Sequence, residues 1–153
     1  MPAVTAVTLT AAQAATRAAL VQAAQQWVGT PYRHHGAVQG VGVDCASLLH
    51  EVYVSAGVIP RQELGAYPRD WHLHNTEERF LGWLANLGGQ PTHQPLPGDV
   101  AVWKFGQCFS HGGIVTGDGM VIHAVKAFRR VVHGSMQDAP FAGVPVQFWS
   151  FVP

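Results

Sequence analysis

The hydrophobic period changes once along this chain, and that change limits the fold more than any single residue does. Up to residue 88 the apolar residues recur at helical spacing; beyond it come short runs rich in Val, Ile and aromatics, divided by turn residues. Residues 11–28 read as a helix. Thr10 and Gln13 fit a capping box, Leu20, Val21, Ala24, Trp27 and Val28 form one stripe, and Gly29 with Pro31 stops it. A Gly-rich loop, 36–42, follows. Asp44 then suits the N-cap of a second helix that carries Cys45, Leu48, Leu49, Val52, Tyr53 and Ala56 and ends at Gly57. A third helix is predicted from Asn75 or Thr76, with Glu77 and Glu78 in its first turn, to Gly88-Gly89. Strands are predicted at 99–103, 113–116, 120–124, 128–133 and 147–152. Helices first and strands afterwards make an α+β domain, its N-terminal helices packed on an antiparallel β-sheet of about five strands.

Composition narrows the function. With 48% hydrophobic and only 12% charged residues, the 153-residue chain suits one compact domain over 1–153, its first ten residues a flexible lead. Nine Lys and Arg balance nine Asp and Glu, which leaves no global field to hold nucleic acid. The one basic cluster, Lys126, Arg129 and Arg130, reads first as a solvated strand face and only weakly as a site for an anionic polymer. No apolar run approaches the roughly 18 residues of a membrane span. The N-terminus has no basic region followed by an apolar one, so synthesis in the cytosol without a signal peptide is expected.

Two cysteines, Cys45 and Cys108, form no disulfide framework and match no zinc spacing. His34-His35 and His72-Leu73-His74 lack a supporting Cys or carboxylate, so no metal or other cofactor is expected. Cys45 directly follows a helix cap, where unpaired N–H groups and the helix dipole favour a thiolate and lower a thiol from its usual ~8.5. It also lies on the apolar stripe, and a plain core cysteine fits the helix as well.

The second half carries the discriminating signal. His111 stands at the start of one predicted strand and His123 in the next, joined through Gly117-Asp118-Gly119. A two-residue Asp118-Gly119 loop would put the two histidines on opposite faces. A three-residue loop pairs Gly113 with His123 and sets His111 diagonally beside it, ~7–8 Å away, on the same face. The three-residue loop is the prediction. Cys45 is then the nucleophile, His111 its base, and His123 the group that fixes the tautomer of His111. The Cys45 N–H and the Tyr32 hydroxyl are candidate oxyanion donors, although Tyr32 packing beside Pro31 fits equally. Cys108, in a Gly-rich loop with no helix behind it, is expected near the rim of the site. Asp99 suits a turn before a strand, and Trp71 and Trp103 suit a groove wall.

Five blocks in order resemble the NlpC/P60 family: Gly29-Thr30-Pro31-Tyr32, Val43-Asp44-Cys45-Ala46-Ser47-Leu48-Leu49, Pro97-Gly98-Asp99-Val100-Ala101-Val102-Trp103, Ser110-His111-Gly112-Gly113-Ile114-Val115 and Met120-Val121-Ile122-His123-Ala124. The resemblance implies a papain-like fold and a Cys-His-His site carried by Cys45, His111 and His123. Tyr32 falls on the tyrosine that borders the nucleophile, and with Asp44 and Ser110 it is a candidate for oxyanion or substrate contacts. The implied reaction is hydrolysis of bacterial peptidoglycan stem peptides, typically between D-γ-glutamate and a diamino acid. The implied setting is the phage tail-associated branch, with tail proteins as partners. Two departures stand out: Ala46-Ser47 replaces the family's usual Ser-Gly, and residues 61–93 match no family block. An antibacterial amidase toxin of the same fold, a catalytically silent tail-tip component and acyl transfer remain open alternatives.

Overall fold

The structure is a computed structural model that describes residues 7–63 and 78–152. Helix α1 spans Ala11–Gln25 and starts at the expected capping box, in which Gln13 N–H donates to Thr10 Oγ1 and Thr10 N–H to Gln13 Oε1. It stops three residues short of the predicted end. There Trp27 and Val28 donate to carbonyls three residues back, and Gly29 takes a positive φ of 90°. The Gly-rich loop contains a small hairpin, β1 (Ala37–Val38) and β2 (Gly42–Val43).

Helix α2 spans Cys45–Ser55, with Asp44 as N-cap accepting from Ser47 N–H at 3.0 Å. Helix α3, Arg79–Asn86, buries Phe80 and Leu84. Its predicted start at Asn75 or Thr76, and Glu77, lie outside the described residues. Glu78 is the N-cap rather than a first-turn residue, and its carboxylate accepts from Phe109 N–H instead of capping the helix.

Six strands follow: β3 (Gln90–Thr92), β4 (Val100–Phe105), β5 (Cys108–Gly117), β6 (Met120–Val125), β7 (Arg130–Ser135) and β8 (Val146–Ser150). They form one antiparallel sheet in the order β3-β8-β4-β5-β6-β7. The strand beyond the expected five is β3, a short edge element whose Pro91 is tolerated only at an edge. The predicted strand 128–133 begins instead at Arg130, because Lys126 to Arg129 close a turn with Arg129 at φ 60°.

Alternation along the strands gives the sheet two buried faces. Val100, Val102, Ile114, Ile122, Ala124 and Val131 pack with Leu20, Ala24, Leu48, Leu49 and Val52 of the helices. Ala101, Trp103, Val115 and Val121 form a second cluster with Phe141. Asp99 holds the turn before β4, accepting from Leu96 N–H at 2.8 Å, and forms a buried ion pair with Arg17 at 2.7 Å. Tyr53 closes the same corner by donating to the Gly98 carbonyl.

The β5–β6 connection differs from the three-residue loop. Gly117 pairs with Met120 across a two-residue turn, with Asp118 at φ 53° and Gly119 at φ 73°, the type I′ signature. Thr116 is left over as a bulge, so Ile114 sits opposite Ile122 and Gly113 falls opposite His123. The register is the predicted one, reached through a bulge rather than a longer loop.

Candidate active site

The pairing of β5 with β6 extends only to Ile114 and Ile122, whereas β5 starts at Cys108 and β6 runs to Val125. Cys45, half-buried in the first turn of α2, lies against this stretch of β5, which pairs with β4 on its other side. Its thiol donates to the Ser110 carbonyl at 3.7 Å, and the N–H groups of Gly112, Ala46 and Cys45 itself face the sulfur. The thiol is thus bracketed by the residues on either side of His111.

A bulge aims that carbonyl. Trp103 lies opposite His111 and Lys104 opposite Phe109, which leaves Ser110 as the extra residue of β5. Its hydroxyl donates to the Phe105 carbonyl at 3.3 Å, and the Glu78 carboxylate accepts from the neighbouring Phe109 N–H at 3.0 Å. The Ser110 side chain is therefore engaged inside the β4–β5 hairpin, and it is the backbone carbonyl that meets the nucleophile candidate.

His111 and His123 share the face of the second cluster. His111 Nε2 lies 2.9 Å from His123 Nδ1, the direct imidazole contact expected from the diagonal placement. Phe141 stacks on Trp103 with centroids 3.9 Å apart and lies 5.8 Å from His111 and 4.6 Å from His123. This apolar floor sets the electrostatics. Burial pushes His111 down to about 4. Burial and the neighbouring His111 push His123 down to about 3.

The thiol departs from the sequence expectation. Burial, with the Asp44 carboxylate adding to it, pushes Cys45 up to about 12 against the opposing pull of the three backbone N–H groups. Enclosure outweighs the helix terminus, and the thiol and both imidazoles are shifted toward their neutral forms.

Around this centre, Tyr32 is half-buried and bridges Val43, two residues before Cys45, while its N–H donates to the Arg129 carbonyl at 2.8 Å. Asp44 is buried, and besides capping α2 it accepts from His35 N–H at 2.8 Å, with His34 Nδ1 at 3.9 Å. Trp103 is only 1% exposed, so it floors the histidine pair and walls no groove. Cys108 begins β5, buried and in no disulfide, rather than lying in a loop. Trp71, His72 and His74 lie outside the described residues. The sequence reading missed Phe141 and Glu78: a lone aromatic after a turn and a helix-start carboxylate carry no periodic signal.

Known proteins resemble this chain in sequence and fold. The NlpC/P60 family matches residues 29–149. A probable endopeptidase of Mycobacterium tuberculosis and one of Mycobacterium bovis are each 37% identical over 110 residues, covering 71% of this chain and 23% of theirs. The chain thus spans under a quarter of the length of these curated relatives. Among solved structures, the NlpC/p60 domain of the peptidoglycan hydrolase SagA superposes with a TM-score of 0.56 at 24% identity, covering 86% of this chain and 96% of that one. The peptidoglycan hydrolase RipB from Mycobacterium tuberculosis does so with 0.63 at 19% identity, covering 95% and 69%. These likenesses are of fold, the α+β papain-like fold.

Proposed function

The chain belongs to the NlpC/P60 family, and from that premise we propose that it is a cysteine peptidase that cleaves peptidoglycan stem peptides through Cys45, His111 and His123. The observation that carries this reading is the 2.9 Å contact between His111 Nε2 and His123 Nδ1, set beside Ser110, whose carbonyl accepts from the thiol.

The hydrogen bond fits one proton arrangement that makes His111 a base: Nε2–H of His111 donates to His123 Nδ1 and His111 Nδ1 is left unprotonated. The resting thiol gives its proton to a hydrogen bond with Ser110. Substrate binding turns it toward Nδ1, where the proton transfers as sulfur attacks the amide carbonyl carbon. The Cys45 N–H, with the Tyr32 hydroxyl, stabilises the oxyanion. His111 then returns the proton to the leaving amine, the C–N bond breaks, and a thioester remains. Water, deprotonated by His111, hydrolyses the thioester to a carboxylate and restores the thiol.

The bond assigned, between D-γ-glutamate and a diamino acid, rests on the sequence resemblance, while relatives named endopeptidase and peptidoglycan hydrolase support cleavage of wall peptides. Digestion of purified stem peptides by wild type and Cys45→Ala, read by mass spectrometry, tests it. A new amine at the diamino acid made by wild type alone is expected; no product from a folded, reduced wild-type protein overturns it. The setting we assign is the cell wall, reached on a virion tail. It rests on the sequence resemblance, and absence of the chain from purified virions overturns it.

A further inference from the structure

The chain is formally neutral, with nine Lys and Arg against nine Asp and Glu, yet its exposed charges are sorted along the sheet. Because the strands are antiparallel, the β4–β5 turn and the β6–β7 turn lie at one end and the β5–β6 turn at the other. The first end is where Cys45 meets β5. It carries exposed Lys104 on β4, Lys126 and Arg129 in the β6–β7 turn, and Arg130 at the start of β7. Arg33, also exposed, follows Tyr32 and lays its side chain over Gly42. The opposite end carries the exposed Asp118.

None of these five cations is in an ion pair among the described residues. Arg17 pairs with Asp99, and Arg61 with Glu51. Asp44 and Glu78, carboxylates at the cationic end, both accept from backbone N–H groups.

The cations also surround the site by direct backbone links. Arg130 bridges Pro31, the Arg129 carbonyl accepts from Tyr32 N–H, and Tyr32 bridges Val43 just before Cys45. Two ladder spacings amount to about 10 Å, and an extended tetrapeptide spans ~14 Å. One short peptide can therefore reach from the thiol to these cations.

We infer that this end of the domain selects peptides that carry free carboxylates, which the cations around Tyr32 bind while the scissile amide lies at Cys45. The inference rests on the peptidase reading and adds the charge state of its substrate. Stem peptides offer such groups on the D-glutamate and on the diamino acid, and amidation of those carboxylates removes the charge without changing the chain.

The test compares two matched stem tetrapeptides, one with both carboxylates free and one with both amidated. Each is hydrolysed by wild type and by a Lys126→Gln/Arg130→Gln double variant, at low and high salt. The free-acid peptide is expected to have a kcat/KM about 5- to 10-fold higher in wild type at low salt, a gap that narrows as salt screens it. The double variant is expected to narrow it by raising KM for the free-acid peptide with kcat held. Equal kcat/KM for the two peptides in wild type overturns the inference. So does a variant that matches wild type on both peptides but binds whole cell wall less well, because the cations then serve a wall polymer. Cleavage of neither peptide by wild type counts against the peptidase reading alone. Calorimetry of both peptides with Cys45→Ala then decides the inference: tighter binding of the free acid supports it, and equal binding overturns it.

Discussion

His111 Nε2 and His123 Nδ1 lie 2.9 Å apart, and both rings rest on Phe141. In the proposed mechanism His123 accepts the Nε2 proton and so holds His111 in the tautomer that leaves Nδ1 free to take a proton. His123→Ala is expected to lower kcat about 100-fold with little change in KM, as the loss of an orienting partner does. His123→Gln, whose side-chain oxygen can accept the same proton, should recover part of the rate. An unchanged kcat in His123→Ala would remove His123 from the mechanism.

The same pair makes stability depend on pH. Both imidazoles are held neutral, at about 4 and about 3, while in the unfolded chain each titrates near its ordinary 6.5. Below 6.5 the unfolded state therefore binds more protons than the folded one, and folding weakens as pH falls through the window from 6.5 toward 4. Each proton taken up only by the unfolded chain costs about 1.4 kcal/mol per pH unit. Urea midpoints should fall steadily between pH 6.5 and 4.5. They should do so less steeply in a His111→Gln/His123→Gln variant, and equal slopes would contradict neutral histidines.

What was legible in the sequence was local or periodic. The Thr10–Gln13 box and the Asp44 cap are set by residues three apart, and both formed as expected. The shared face of His111 and His123 follows from strand register, although a bulge at Thr116 supplies it rather than a longer loop. Strand β3 escaped notice because an edge strand with Pro91 has no alternating pattern. The Ser110 bulge, the aromatic floor from Phe141 and the upward shift of the Cys45 thiol depend on what packs around them. Sequence spacing carries no signal for that.

Since burial and Asp44 push the Cys45 thiol up to about 12, the free protein should react slowly with iodoacetamide at pH 7. The rate should keep rising beyond pH 9, where an ordinary cysteine levels off above its ~8.5. Asp44→Asn removes the adjacent negative charge, keeps a capping oxygen and should shift the alkylation profile to lower pH. A wild-type rate that levels off near pH 6 would mean a standing thiolate–imidazolium pair.

Away from the site, Arg17 joins α1 to the turn before β4. It bonds Asp99 at 2.7 Å, the Pro97 carbonyl at 3.2 Å and Ser150 Oγ at 3.2 Å. Arg17→Met leaves a buried carboxylate without its cation, which costs about 3–5 kcal/mol. The urea midpoint should drop accordingly, and the activity of the remaining folded molecules should stay near wild type. A stability loss under ~1 kcal/mol would show that the pair is replaceable.

Two adjacent glycines separate packing from alignment. A Cβ on Gly113 would stand 2.6 Å from Val121 Cγ2, 2.9 Å from the Ile122 carbonyl oxygen and 3.0 Å from His123 Cβ, so backbone has to move where β5 and β6 last pair. A Cβ on Gly112 would instead meet Phe80 Cζ at 2.8 Å and Leu49 Cδ1 at 2.9 Å, on the helix face. Each substitution overpacks a filled space and should cost about 1–3 kcal/mol. Their effects on rate should differ. Gly113→Ala pushes β6 and His123 away from His111, so its kcat, measured where the protein is fully folded, should fall at least tenfold as the 2.9 Å hydrogen bond stretches. In Gly112→Ala the strain falls on side chains that can shift by a few tenths of an ångström, and its kcat should fall less. Equal losses of kcat at equal losses of stability would mean that separation of the two imidazoles does not govern the rate.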